Sequence, residues 1–376
     1  IGDPAVKMAY PEFGMKVTTV NGQSVDGNSI SFKALEKITV EGEVLDVSGQ
    51  LVTDFTGIVN PTVKDSKVTV TCLKNSNKDD SPAFTFTDYP NTIFIGNDSV
   101  RNGKFSFTFT VPKDISYSNL QGKMNLYAVD TESGNEAQGN FDNFIVGGTS
   151  DTAETDTIGP EIRALYLNDT TFVDGGQVNT TPYFVAELWD KSGVNITGSS
   201  VGHDMMLVID ESTVLSYNLN SYYELLPGED GTGIVKFPIP ALEPGKHTAE
   251  FWVWDILNNS TVRTFTFEVV EGLKPFLFDV IATPGIAREQ VTFHLMHNRP
   301  ESRMRVGIMV YDLAGRQLWK HEESGTSGLF ENYTVSWDLT SGGVRMRPGV
   351  YIYRAAISTD NSKDATKARK FIILGE

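Results

Sequence analysis

Cysteine is all but missing from this chain: Cys72 is the single one in 376 residues. No disulfide framework and no cysteine-ligated zinc site can therefore form within one chain. Cys72 closes the run Val68-Thr69-Val70-Thr71-Cys72, whose period-two alternation puts Val68, Val70 and Cys72 on one face. That pattern predicts a small buried hydrophobe rather than a reactive thiol. Long apolar runs are also missing. No stretch of about 18 apolar residues exists, so no helix is expected to cross a bilayer. The start lacks the charged-then-apolar pattern of a signal peptide, and because the chain opens at Ile1 rather than Met, a piece of a longer polypeptide is expected. Basic residues are scarce, 31 against 48 acidic for a net charge of -17. Such a surface repels phosphates, which excludes nucleic acid as a partner.

What is present reads as strands. Short apolar runs alternate with polar residues, and Gly, Asn, Asp, Ser and Thr fill the gaps between them. No helical stripe interrupts them. The length suits roughly three domains of about 100 to 125 residues. Charge is spread unevenly: residues 1–148 carry 12 basic and 18 acidic side chains, 149–272 carry 5 and 19, and 273–376 carry 14 and 11.

Two segments repeat one local order. Glu43-Val44-Leu45-Asp46-Val47-Ser48-Gly49 corresponds to Glu187-Leu188-Trp189-Asp190-Lys191-Ser192-Gly193. Leu126-Tyr127-Ala128-Val129-Asp130 corresponds to Phe251-Trp252-Val253-Trp254-Asp255, and each is followed by an Asn-containing turn and another strand. An Asp at a strand end accepts amide hydrogen bonds while Gly or Asn takes up positive φ. The expected fold is all-β, three tandem immunoglobulin-like β-sandwich modules. Residues 16–148 form the first, 149–159 a polar acidic linker, 160–272 the second and 273–376 the third, with 1–15 left as the tail of a preceding domain.

Little in this pattern supports chemistry. His294 and His297 are three apart on a strand, so their rings point to opposite faces, and His203 reads as a turn histidine. A nucleophile elbow, a phosphate loop and a Cys/His pairing are absent, and no cofactor is expected. Asp46, Asp190 and Asp255 sit at strand-to-turn corners where oxygens converge, which marks the Asp190 corner for calcium, although Asx-turn capping explains the same residues. Trp252 and Trp254 share one strand face and suggest an aromatic contact surface. Arg299, Arg303, Arg305, Arg316, Arg345, Arg347 and Arg354 give the last module a guanidinium-rich character suited to carboxylates on a partner.

The last module also carries an ordered motif set: Asp312-Leu313-Ala314-Gly315-Arg316, then Trp337, then Gly349-Val350-Tyr351-Ile352-Tyr353. In these residues it resembles the C-terminal sorting domains of the bacterial type IX secretion system. Ala282-Thr283-Pro284-Gly285 stands where those domains have Asn-Pro. That difference, the Leu339-to-Gly343 insertion and the Ile1-to-Pro11 start are more similar to the sortase of that pathway than to its cargo. The resemblance implies a region downstream of a gingipain-type cysteine peptidase that removes sorting domains from cargo and links cargo to a surface lipopolysaccharide. It further implies that residues 1–15 end the peptidase domain, that the catalytic Cys and His precede Ile1, and that an outer-membrane β-barrel protein holds the last module at the cell surface.

The function expected is thus a non-catalytic set of modules that supports the peptidase and docks it, with Arg303, Arg305, Arg316, Arg345 and Arg347 as the docking residues. The alternative is a surface adhesin or glycan-binding protein exported through the same kind of sorting domain.

Overall fold

Alternation becomes layering wherever a second sheet is available to cover the apolar side of a strand. In Lys104–Thr110 the phenylalanines Phe105, Phe107 and Phe109 are buried, and the residues between them are exposed or half-buried. Their rings stack on Phe94 and on one another. This computed structural model describes residues 10–74, 82–151, 156–198, 202–226, 231–359 and 362–375. Helix is confined, among those residues, to one 3-10 turn at Asn220–Tyr222. None of the described helices is long and apolar enough to cross a membrane. The chain divides into two compact units, one built from the chain up to Ala164 with Ala186–Val235 and Glu250–Thr264, the other from Leu165–Val185, Lys236–Ala249 and the chain from Phe265 onward.

In the first unit one sheet has nine strands, with Phe13–Val20, Lys37–Leu45 and Lys104–Thr110 side by side. Lys123–Asp130 bonds on both edges, antiparallel to Glu136–Phe141 and to Gly57–Lys64, so both of its edges are paired within this one sheet. That close pairing needs Gly57: a Cβ there would lie 1.9 Å from the Val129 carbonyl oxygen. A three-stranded sheet of Leu120–Gln121, Phe144–Thr149 and Ile30–Ala34 completes the wrapping, with Phe32 stacked on Phe144 at 4.2 Å. Phe13, Gly14 and Met15 already pair with Ala137, Leu45 and Val44, so part of the expected 1–15 tail is built into this sheet. Ile1 to Ala9 lie outside the described residues.

One hairpin departs from the layered plan. Val68–Thr71 pairs only with Thr85–Asp88, as a two-stranded ribbon. Among the described residues it joins no larger sheet, and Val68 and Val70 are only half-buried. Cys72 is half-buried rather than buried, and Leu73, Phe84 and Phe86 are exposed. The expected burial of Cys72 was wrong for this reason.

The strands between 161 and 269 form a four-stranded sheet, led by Glu161–Leu167 and Tyr183–Trp189, and a five-stranded sheet that contains Gly245–Trp254 and Ser260–Val269. In the last hundred residues, Leu277–Thr283, Val291–His297 and Tyr333–Trp337 make a three-stranded sheet. Ile286–Ala287, Ala365–Ile373, Gly349–Ser358, Met304–Tyr311 and Gln317–Gly325 make a five-stranded one. Their facing sides share one core that includes Val280, Phe293, Val306, Ile308, Trp337, Tyr353 and Phe371.

Candidate functional site

The motif residues of the last module turn out to be the grammar of its fold. Asp312 ends a strand, and its Oδ1 accepts the amides of Ala314 at 3.0 Å and Arg316 at 2.9 Å, while Gly315 takes φ +83°. Arg316 donates from Nε to Asp312 Oδ2 at 3.1 Å. These bonds hold the Asp312 carboxyl below the usual carboxylate range, the Arg316 amide contributing most. Trp337 is buried, donates to the Thr340 carbonyl at 2.8 Å and stacks on Trp319 at 4.5 Å. Gly349 opens the strand that carries Tyr351 and Tyr353, both buried; the Tyr351 hydroxyl donates to the Arg347 carbonyl at 2.7 Å.

The arginines do not gather. Arg303 and Arg305 lie at the start of Met304–Tyr311, whereas Arg316 follows its far end. Because Tyr311 pairs with Ile352 and Arg305 with Ser358, the entry to Gly349–Ser358, and with it Arg347, sits at the Arg316 end. Arg345 bonds to the Arg288 carbonyl, and Arg305 forms a loose pair with Asp364 at 3.7 Å. Arg303, Arg305, Arg316, Arg345 and Arg347 are all exposed. Arg299 is not: it is 1% exposed, and its guanidinium donates to the carbonyls of Leu273, Lys274 and Asn298. It fixes the chain's entry into the last module instead of facing a partner.

Trp252 and Trp254 are half-buried, with Phe251 and Val253 fully buried on the other face. Trp252 donates to Glu250 at 3.2 Å. The Trp254 ring packs against His203 at 4.5 Å, so it is covered from within the chain. His203 Nδ1 meets Asp114 Oδ2 at 2.6 Å, and Asn258 donates to the other oxygen of Asp114 at 2.9 Å. A sequence separation of 89 residues hid this His203–Asp114 pair from local pattern reading.

The Asp corners diverge. Asp46 stays alone, its Oδ1 accepting the amides of Ser48 and Gln50. Asp190 and Asp255 come together, and Asp156 joins them from the acidic linker; the three offer carboxylate oxygens within 4.8 Å of one another. Oxygen-only donors of this kind suit a hard cation. Asp156 was legible only as one more acidic linker residue.

No protein-family model and no curated protein matches the chain. Among solved structures, dimeric latent PorU from Porphyromonas gingivalis aligns with all of this chain at 37% identity, with a TM-score of 0.45. By sequence, the chain is related to PorU. It spans 35% of the PorU chain. A tetra-tandem repeat from the extending region of a large adhesion protein aligns over 97% of this chain and 74% of its own length at 14% identity and a TM-score of 0.20. The Ig1-2 module of the Drosophila receptor tyrosine phosphatase DLAR aligns over 58% of this chain and all of its own at 9% identity and 0.23. The relation to PorU rests on the sequence identity over an alignment that covers the whole of this chain.

Proposed function

We propose that these residues are the non-catalytic β modules of a cell-surface cysteine-peptidase sortase of the type IX secretion pathway. The first two immunoglobulin-like modules support the peptidase, and the third docks it to the outer-membrane secretion machinery through a β-barrel partner. The observation that carries this reading is the 37% identity to PorU along the whole chain. It is joined by the motif Asp312…Gly315-Arg316, Trp337, Gly349…Tyr351…Tyr353. The Asp312, Trp337, Tyr351 and Tyr353 side chains are spent on the turn and the core, so the outward Arg303, Arg305, Arg316, Arg345 and Arg347 supply the docking contacts, Arg316 with the guanidinium nitrogens its Asp312 bond leaves over. The adhesin alternative draws no support from Trp254, whose ring His203 covers.

The test is the intact mass of the mature protein recovered from the cell surface. A retained sortase keeps the last module through the Lys370-to-Leu374 strand. A form ending near Gly272 would assign the module to removable cargo and defeat the proposal.

A further inference from the structure

The large sheet of the first unit is zipped at one end and split at the other. Lys104–Thr110 pairs along its whole length with Lys37–Leu45, but its opposite edge meets Asp98–Arg101 only at Lys104 and Phe105. Thr92–Ile95, the terminal strand of that sheet, pairs on one edge only, with Thr62, Val63 and Lys64, and it does not pair with Lys104–Thr110. Asp98–Arg101 and Thr92–Ile95 both lie along Gly57–Lys64. Beyond Phe105, therefore, two strands flank a slot that no strand fills.

Antiparallel pairs alternate between residues that bond across the ladder and residues that do not. The Val44 amide bonds the Gly103 carbonyl at 2.7 Å, and the Val111 amide bonds the Glu36 carbonyl at 2.9 Å. Steps of two from either bond assign Phe105, Phe107 and Phe109 to the bonded class. Thr108 and Thr110 thus turn their amides and carbonyls away from Lys37–Leu45, toward the slot. Open edges are commonly guarded by a charge, a proline or a bulge, and Ser106 to Thr110 has none of these. A cavity of about 720 Å³ lies against this edge within the first unit. The half-buried Phe94 ring, stacked on Phe109 at 4.8 Å, forms its floor, and Val194, Ile196 and Ile256 stand in another wall. Lys37 pairs with Thr110 at one end of the open stretch, and Arg101 pairs with Lys104 at the other. Both cations are exposed and line the cavity, and neither forms an ion pair among the described residues. Lys191 joins them, against two carboxylates, Asp98 and Asp190, that already accept backbone amides.

Main-chain donors and acceptors at alternate residues, an aromatic floor and a cation at each end together fit an extended peptide. We propose that this slot takes an acidic-ended, extended peptide of a partner polypeptide as an added strand, bonded through its main chain to Thr108 and Thr110. From Lys104 to Thr110 the edge runs about 20 Å, the length of a strand of about six residues. Alternate side chains of that strand face Phe94 and the wall of Val194, Ile196 and Ile256, which calls for β-branched residues between the acidic ends. The site belongs to the first unit and goes beyond the docking assigned to the arginines of the last module.

Fluorescence anisotropy of the full chain with the fluorescein-labelled peptide Glu-Val-Thr-Val-Thr-Glu provides the test. Saturable binding to one site per chain is expected, at least tenfold weaker when both end residues of the peptide are lysine. Thr108→Pro removes an amide that faces the slot and leaves the ladder to Lys37–Leu45 intact, so it should weaken binding at least tenfold. Thr108→Val keeps the main chain and should bind like the wild type. If Thr108→Pro does not fold, the same peptide N-methylated at every second amide carries the test, because it cannot complete the ladder and should lose binding at least tenfold. Amide hydrogen exchange reads the edge directly: Thr108 and Thr110 should exchange rapidly in the free protein and at least tenfold more slowly with saturating peptide. A Thr108 amide already protected in the free protein would overturn the proposal, as would no anisotropy change at millimolar peptide or binding undiminished in Thr108→Pro.

Discussion

The Tyr353 hydroxyl donates to the Val280 carbonyl at 3.0 Å, joining the two sheets of the last module through its core. Val280 is fully buried and Tyr353 is 1% exposed. A sorting-type motif residue is thus a strut, and its ring also packs on Phe293 at 4.9 Å. Tyr353→Phe should keep that packing and lose the bond, leaving a buried carbonyl without its partner. The expected cost is about 1–2 kcal/mol, read as a lower midpoint in denaturant with an unchanged slope; an unchanged midpoint would show that the strut contributes nothing.

His297 predicts an acid-labile last module. Its ring accepts the Arg299 amide at Nδ1 and meets the Ser327 hydroxyl at Nε2, 2.9 Å away. Burial first, and the Arg299 charge second, lower it from 6.5 to about 4. The unfolded chain therefore binds the proton more readily between those values, so this contribution to stability is complete above about pH 6.5 and is lost as pH falls toward 4. Its ceiling is about 3 kcal/mol. Wild type minus His297→Gln, measured by denaturant unfolding from pH 7 to 4, should show that slope; a flat difference would remove it.

Much of the fold could be read locally, because strand alternation and turn chemistry act over a few residues. Asp312, Gly315 and Arg316 make their turn with one another, and Phe105, Phe107 and Phe109 announce a covered face. What escaped reading depends on convergence or on what covers a strand. Val68, Val70 and Cys72 alternate as well as any core strand, yet among the described residues their ribbon joins no larger sheet and all three are only half-buried. Asp156 meets Asp190, and His203 meets Asp114, only through the folded chain. Arg299 looked like its exposed neighbours in sequence and is buried because three carbonyls await it.

The ribbon supports a direct chemical check. Cys72 donates its amide to the Phe84 carbonyl at 2.8 Å, and its side chain is half-buried. As the chain's single thiol, it should take up one equivalent of a maleimide without denaturant, giving a mass shift of one label on the folded protein. Labelling that waits for denaturant would place a cover over the ribbon.

The split arginines make a final prediction about docking. Eight residues separate Arg303 from Tyr311 along an extended strand, a span of about 25 Å, so charges at its two ends share no neighbours. Steering by such separated charges is additive and screened by salt. Reversing Arg345 and Arg347 to Glu should slow association with the proposed outer-membrane β-barrel partner, and reversing Arg303 and Arg305 should slow it independently. The quadruple variant should then show the sum of the two free-energy changes within about 0.5 kcal/mol. Surface plasmon resonance at low and physiological salt reads both terms: the losses should shrink as salt rises, since salt screens charges on exposed side chains. If neither pair changes the association rate at low salt, docking belongs to another face of the module.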